Sequence, residues 1–139
     1  MKIRILIIED DPDREEKLRS WLPAGMIAVT ARSAGTAMGI LKRDKGKVYA
    51  GIMLDHDLDK SPVCETDLKL CGQDVVKLII GNISKKVPIL IHSCNPSEAP
   101  VMHSLLEKAG FAVERISMND LTEESFKDWL TYVRENWES

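Results

Sequence analysis

An α/β fold is predicted for this chain: a doubly wound, five-stranded parallel sheet in the order 2-1-3-4-5, layered between helices. Three observations predict it. Short apolar runs alternate with helical patterns five times along 139 residues, as βαβ units require. Two of the runs, Ile3–Ile8 and Gly51–Leu54, are rich in aliphatic residues without polar alternation, the pattern of strands buried on both faces. Both then end abruptly in acidic residues, at Glu9, Asp10 and Asp11 and at Asp55 and Asp57.

Taken in order, the strand-like runs are Ile3–Ile8, Met26–Ala31, Tyr49–Leu54, Val87–His92 and Phe111–Ile116, with helical patterns at 12–22, 34–45, 73–84, 97–109 and 122–137. Asp11 is placed to cap the first helix, with Pro12 at its first position; Ser33 is placed to cap the second and Thr122 the last. Leu18, Trp21 and Leu22 in the first helix recur at helical spacing, as do Phe126, Trp129, Leu130, Val133 and Trp137 in the last. Such stripes are core faces. Right-handed crossovers then put strands one and three side by side at the switch point of the sheet, where ligands of open α/β folds bind. Between the third strand and its helix, residues 59–71 form a connection longer than the usual ~2–6 residues. It reads either as a lid over that edge or as an inert surface elaboration.

The length suits one domain spanning residues 1–139, with enough core to fold without disulfides. A formal net charge of −3 argues against binding bulk double-stranded DNA, while leaving room for a local pocket for a small phosphate ester. The basic stretch Lys42, Arg43, Lys45 and Lys47 closes the second helix, away from the carboxyl edge of the sheet, and reads as a solvated helix terminus. Cys64, Cys71 and Cys94 are an odd number, and the chain contains no apolar stretch of signal-peptide or bilayer type. A soluble cytoplasmic setting without a membrane partner is expected. Cys64 and Cys71 lie farther apart than a usual zinc pair, so free thiols are the preferred reading.

With strands one and three adjacent, the acidic clusters meet, and a hard cation, Mg²⁺ or Mn²⁺, relieves their repulsion most simply. Glu9, Asp10, Asp55 and Asp57 are the candidate metal ligands, Asp11 being assigned to the helix cap.

The segments "ILIIEDDPD" at 5–13, "GIMLD" ending at Asp55, and Ser93 after the fourth strand resemble a response-regulator receiver domain. That resemblance implies a receiver/flavodoxin-like three-layer sandwich, Mg²⁺ held by Glu9, Asp10 and Asp55, a phosphoacceptor role for Asp55, and a phosphoryl contact from Ser93. The chain departs from it at "FAVERISMND", which lacks the Lys-Pro pair of receivers, and at "LDHDL", residues 54–58. Arg115 reads as a solvated edge charge that leaves the missing lysine unreplaced. "LDHDL" together with "IHSCNP" at 91–96 is similar to the cyclic-phosphate-processing receiver family. This second resemblance implies the same fold and action on cyclic phosphate ends of nucleotides or RNA.

Opening a cyclic phosphodiester needs charge neutralisation, a positioned water and a proton for the departing ribose oxygen. The carboxylates and their cation meet the first two needs. His56 and His92 are acid/base candidates beside Asp55, because imidazole titrates near neutrality. Ser93 and Asn95 are candidate hydrogen-bond donors to phosphate oxygens. Asn95 has a second reading, shaping the turn before Pro96 or, with Ser97, capping the fourth helix, and His103 reads as structural. Two other functions stay open: phosphorelay signalling through phosphorylated Asp55, and a degenerate receiver that only binds a protein partner.

Overall fold

The computed structural model describes residues 2–43, 48–55 and 72–138. Its elements run β1 (Ile3–Ile8), α1 (Pro12–Ser20), β2 (Met26–Ala31), α2 (Ala34–Arg43), β3 (Gly51–Leu54), α3 (Gly72–Asn82), β4 (Ile89–Ile91), α4 (Glu98–Lys108), β5 (Val113–Arg115) and α5 (Glu123–Glu138). All strand pairs are parallel, in the order β2-β1-β3-β4-β5. This is the doubly wound sheet that the sequence predicts.

The period-two alternation of the strands divides the core into two layers. Leu6, Ile8, Ile52, Leu54, Ile89 and Ile91 pack with residues of α2, α3 and α4 on one face. Ile3, Ile5, Ile7, Met53 and Leu90 pack on the other with Leu18 of α1 and with Phe126, Trp129, Leu130 and Val133 of α5. Both faces of the central strands are therefore covered, which is why β1 and β3 carry no polar alternation.

Three strands are shorter than their apolar runs. Pro88 has no N–H to give, so regular pairing of β4 begins only at Ile89, although the Pro88 carbonyl still accepts from Ile52 N–H at 3.1 Å. Isolated bonds carry the extended chain beyond the ladders, as in Ala50 N–H to Arg4 O at 2.9 Å and Met118 N–H to His92 O at 2.9 Å.

The expected caps form. Asp11 Oδ1 accepts from Asp13 N–H at 2.9 Å and Arg14 N–H at 3.4 Å, Ser33 Oγ accepts from Thr36 N–H at 3.1 Å, and Thr122 Oγ1 accepts from Ser125 N–H at 3.1 Å. Gly110, at φ 102°, ends α4: its N–H bonds Glu107 O at 3.0 Å while Phe111 N–H bonds Leu106 O at 3.1 Å. These two bonds make a Schellman closure. Lys42 and Arg43 are exposed in the last turn of α2, as expected of a solvated terminus. No helix among the described residues is long and apolar enough to cross a membrane.

Helix α1 is tied to β2 through Glu15. Its buried carboxylate accepts from Arg19 Nε at 3.1 Å and from Arg32 Nε at 2.7 Å, while Arg19 also donates to Thr30 Oγ1 at 2.6 Å. Burial works to raise the Glu15 carboxyl, but the bonds from Arg32 and Arg19 outweigh it and hold the group below its ordinary 4.5.

Gly51 lets α5 approach β3. A Cβ there would lie 3.0 Å from Trp129 Cη2 and 3.1 Å from Val133 Cγ2. Gly51→Ala is therefore expected to destabilise the fold by about 1–3 kcal/mol in chemical denaturation, the usual cost of overpacking; unchanged stability would mean that α5 is not seated this closely. The Glu15 network predicts a pH dependence. A carboxyl with a lowered folded pKa contributes stability that is complete above its unfolded value and is lost as pH falls through the folded one. The difference in melting temperature between wild type and Glu15→Gln should be widest near neutrality and narrow as pH falls below the ordinary carboxylate range. A difference independent of pH would exclude an ionic contribution.

Candidate functional site

The register of the sheet builds the site. Ile8 pairs with Leu54, and Leu54 with Ile91. One step beyond each ladder, Glu9, Asp55 and His92 thus fall in one row, and the parity of the strands puts them on the side of Ile7, Met53 and Leu90. Asp55 N–H to Ile8 O and His92 N–H to Leu54 O, both 3.1 Å, fix the row at its backbone.

The three side chains are buried: Glu9 and His92 are fully enclosed and Asp55 is 2% exposed. One ligand atom from each lies within 4.8 Å of the others. His92 Nε2 is 3.0 Å from Glu9 Oε1, and the other ring nitrogen, Nδ1, is buried with no hydrogen-bond partner among the described residues. Because the Glu9 carboxylate can only accept, Nε2 carries the proton of this bond in the absence of a metal and would have to lose it to serve as a ligand.

Burial by itself pushes the Glu9 carboxyl up. The hydrogen bond and charge of His92, the Asp11 N–H at 3.1 Å from Oε2, and a hydrogen bond from Asp10 overcome that and bring it down to about 2. Asp10, 1% exposed, thus lies against Glu9 rather than among the three converging ligand atoms.

Sequence reasoning missed Arg14. In the first turn of α1, its Nη1 lies 4.0 Å from both Glu9 Oε1 and Asp55 Oδ2, and its Nε 3.9 Å from Asp11 Oδ2. Burial opposes its charge, but the carboxylates of Glu9, Asp55 and Asp11, together with Cys94, reinforce it. The available signal was its position: a residue three after the Asp11 cap shares the cap's end of the helix.

The phosphate-ligand candidates sit on the neighbouring loop. Ser93 Oγ accepts from Asn95 N–H at 3.1 Å, and a hydroxyl that accepts one bond still has a proton to donate. Asn95 Oδ1 accepts from Ser97 N–H at 3.0 Å and Glu98 N–H at 2.9 Å, so Asn95 caps α4 through its carbonyl oxygen, while Ser97 forms no side-chain cap bond. A groove of about 480 Å³ opens beside this loop, lined by Ser93, Asn95, Arg115, Ser117 and Asp120 among others. Arg115 is exposed on its wall. At the end of β5, Ser117 donates to Cys94 Sγ at 3.4 Å. His103 lies 3.9 Å from Glu107, one helical turn on. Lys45 and Lys47 of the basic stretch, His56, Asp57, the 59–71 connection, Cys64 and Cys71 lie outside the described residues.

The donors suit a divalent cation. Carboxylate oxygens and an imidazole nitrogen are the ligands that Mn²⁺ and related ions take, and their 4.8 Å spread is close to the span of a single coordination sphere.

Among curated proteins, none matches this chain. Solved structures share its fold. The response regulator domain of Thermotoga maritima CheB is 16% identical with a TM-score of 0.68, covering 100% of this chain and 98% of that one. The receiver domain of a sensor histidine kinase from Pseudomonas aeruginosa PAO1, with a magnesium ion in its active-site cleft, is 18% identical with a TM-score of 0.67 and full coverage of both chains, 100% each. A Burkholderia pseudomallei response regulator with a phosphorylated aspartic acid and a calcium ion is 18% identical, with a TM-score of 0.66, over 96% of this chain and 70% of that one. At such identities the likeness carries the fold alone. A family described as the cyclic-phosphate processing receiver domain matches residues 4–108, and to that family the chain belongs.

Proposed function

We propose that this receiver domain, acting as one unit across residues 1–139 in the reducing cytoplasm, binds a divalent cation and a phosphate ester and hydrolyses cyclic phosphates on nucleotides or RNA ends. The observation that carries the proposal is the convergence of Glu9, Asp55 and His92 within 4.8 Å at three strand ends. The family's description, cyclic-phosphate processing, suggests the substrate class.

Glu9 and Asp55 hold the cation, with Asp10 behind Glu9 and Asp57 as a further carboxylate. When bound, such an ion neutralises phosphate charge and lowers the pKa of a water molecule. The Ser93 hydroxyl and the Asn95 side-chain amide orient phosphate oxygens from the β4–α4 loop. His92 keeps a proton at Nε2 against Glu9, which fixes the carboxylate and holds a proton within the row. Protonation of the leaving ribose oxygen is assigned to His92 or His56. Water adds to phosphorus, one ring P–O bond breaks, and the freed ribose oxygen takes up a proton.

A second reading follows from the structural neighbours, one of which carries a phosphorylated aspartate: Asp55 accepts a phosphoryl group and the domain signals to a protein partner.

The test incubates 2′,3′-cyclic mononucleotides and a cyclic-phosphate-ended RNA with wild type or Asp55→Ala in Mg²⁺, Mn²⁺ or EDTA. Ring opening that requires metal and falls by at least about a hundredfold in the variant is expected. No turnover, with a phosphoryl mass gain on wild type after treatment with a small phosphoryl donor, would replace hydrolysis with signalling. No turnover, no mass gain and no cation binding would leave a protein-binding module.

A further inference from the structure

Arg14 is a cation placed where another cation is expected. Its Nη1 lies 4.0 Å from Glu9 Oε1 and 4.0 Å from Asp55 Oδ2, the two carboxylates of the converging row. Its Nε is 3.9 Å from Asp11 Oδ2 and its Nη2 is 3.9 Å from Cys94 Sγ. The three carboxylate distances exceed the ~2.7–2.9 Å of a charge-assisted hydrogen bond, while the Nη2 contact is a hydrogen bond to the larger sulfur of Cys94. The guanidinium therefore compensates the carboxylates without being clamped by any of them, unlike Arg32, which reaches Glu15 at 2.7 Å.

The side chain is also open to solvent. It is 29% exposed, against 0% for Glu9 and 3% for Asp55, so it approaches the row from the solvent side. A divalent ion on the same oxygens would repel it at close range. Once turned outward, the planar donor fork of a guanidinium matches the oxygens of a phosphate. Across the site, the end of β5 offers the neutral Ser117, bonded to Cys94 Sγ.

Building on the divalent-cation reading above, we propose that Arg14 is the anion-receiving cation of this site: it holds Glu9 and Asp55 while no divalent ion is bound, and passes to the phosphate oxygens when one is. Arg14 and the divalent ion then compete in the absence of phosphate ester and cooperate in its presence.

Calorimetry on the full chain separates these effects. Wild type, Arg14→Gln and Arg14→Lys are titrated with Mn²⁺ alone, then with 2′,3′-cyclic AMP at saturating Mn²⁺, after circular dichroism has shown each variant to be folded. Arg14→Gln is expected to bind Mn²⁺ about tenfold more tightly and 2′,3′-cyclic AMP about tenfold more weakly than wild type. Arg14→Lys, which keeps the charge and loses the fork, should retain wild-type Mn²⁺ affinity and lose part of the nucleotide affinity. Unchanged or weaker Mn²⁺ binding in Arg14→Gln, or unchanged nucleotide binding, would overturn the role of Arg14 while leaving the cation site standing. Absence of Mn²⁺ binding in wild type and both variants would instead remove the cation site and this proposal with it.

Discussion

The structure turns on the burial of ionisable groups at the ends of three neighbouring strands. Glu9, Asp10, Asp55 and His92 are each at most 2% exposed, and burying a carboxylate without partners is costly enough that it would ordinarily take up a proton. Glu9 does the opposite, its carboxyl lying at about 2, because the imidazole of His92, the Asp11 N–H and Asp10 surround it with hydrogen bonds. The charge is retained by construction. A small change in the path of the chain from β1 into α1 would remove the Asp11 contribution and alter the balance.

That path is set by elements whose first task is folding. The Asp11 cap starts α1, and it orients the Asp11 N–H towards Glu9 and brings Arg14 over the row. On the same face of the sheet, Gly51 allows Trp129 and Val133 to press against β3, and Met53, one residue pair before Asp55, lies in that layer. The row thus extends a rigid core, and its members are positioned by backbone bonds of the sheet rather than by loops. The phosphate-facing candidates differ, since Ser93 and Asn95 belong to a turn held by its own hydrogen bonds and by the start of α4.

Much of this was legible in the residues. The apolar runs ending in acid located the strand ends, and the crossover rule then gave the order 2-1-3-4-5 and the meeting of Glu9 with Asp55. Asp11, Ser33 and Thr122 were readable as caps because side-chain oxygen acceptors immediately precede helical patterns. The contact of His92 with Glu9 was harder to foresee. It follows from parity, since His92 stands two residues beyond Leu90 and so shares its face, but parity becomes useful only when the register of β4 against β3 is known. Arg14 was harder to read for another reason: its place three residues after the Asp11 cap put it at the cap's end of the helix, but an arginine there ordinarily points to solvent, and it is the fold that makes the neighbouring surface acidic. Strand lengths were overestimated because apolar residues continue past the last regular ladder bond, as Pro88 at the start of β4 illustrates.

The spacing of Arg14 also distinguishes its ion pairs from those of Glu15. The guanidinium of Arg14 lies 4.0 Å from Glu9 and from Asp55, and the imidazole of His92 leaves Nδ1 with no partner among the described residues. A network evolved for stability alone would be expected to close its bonds, as Glu15 does with Arg19 and Arg32 at 3.1 and 2.7 Å. The same chain therefore contains two kinds of arginine pair a short distance apart in sequence: a closed one that fastens α1 to β2, and a looser one, from Arg14, at the switch point of the sheet. Openness has a stability cost, because loose pairs repay less of the desolvation of buried charge. The position of Arg14, 4.0 Å from Glu9 and Asp55 and with a side chain 29% exposed, is the geometry that the proposed exchange with a divalent ion would use.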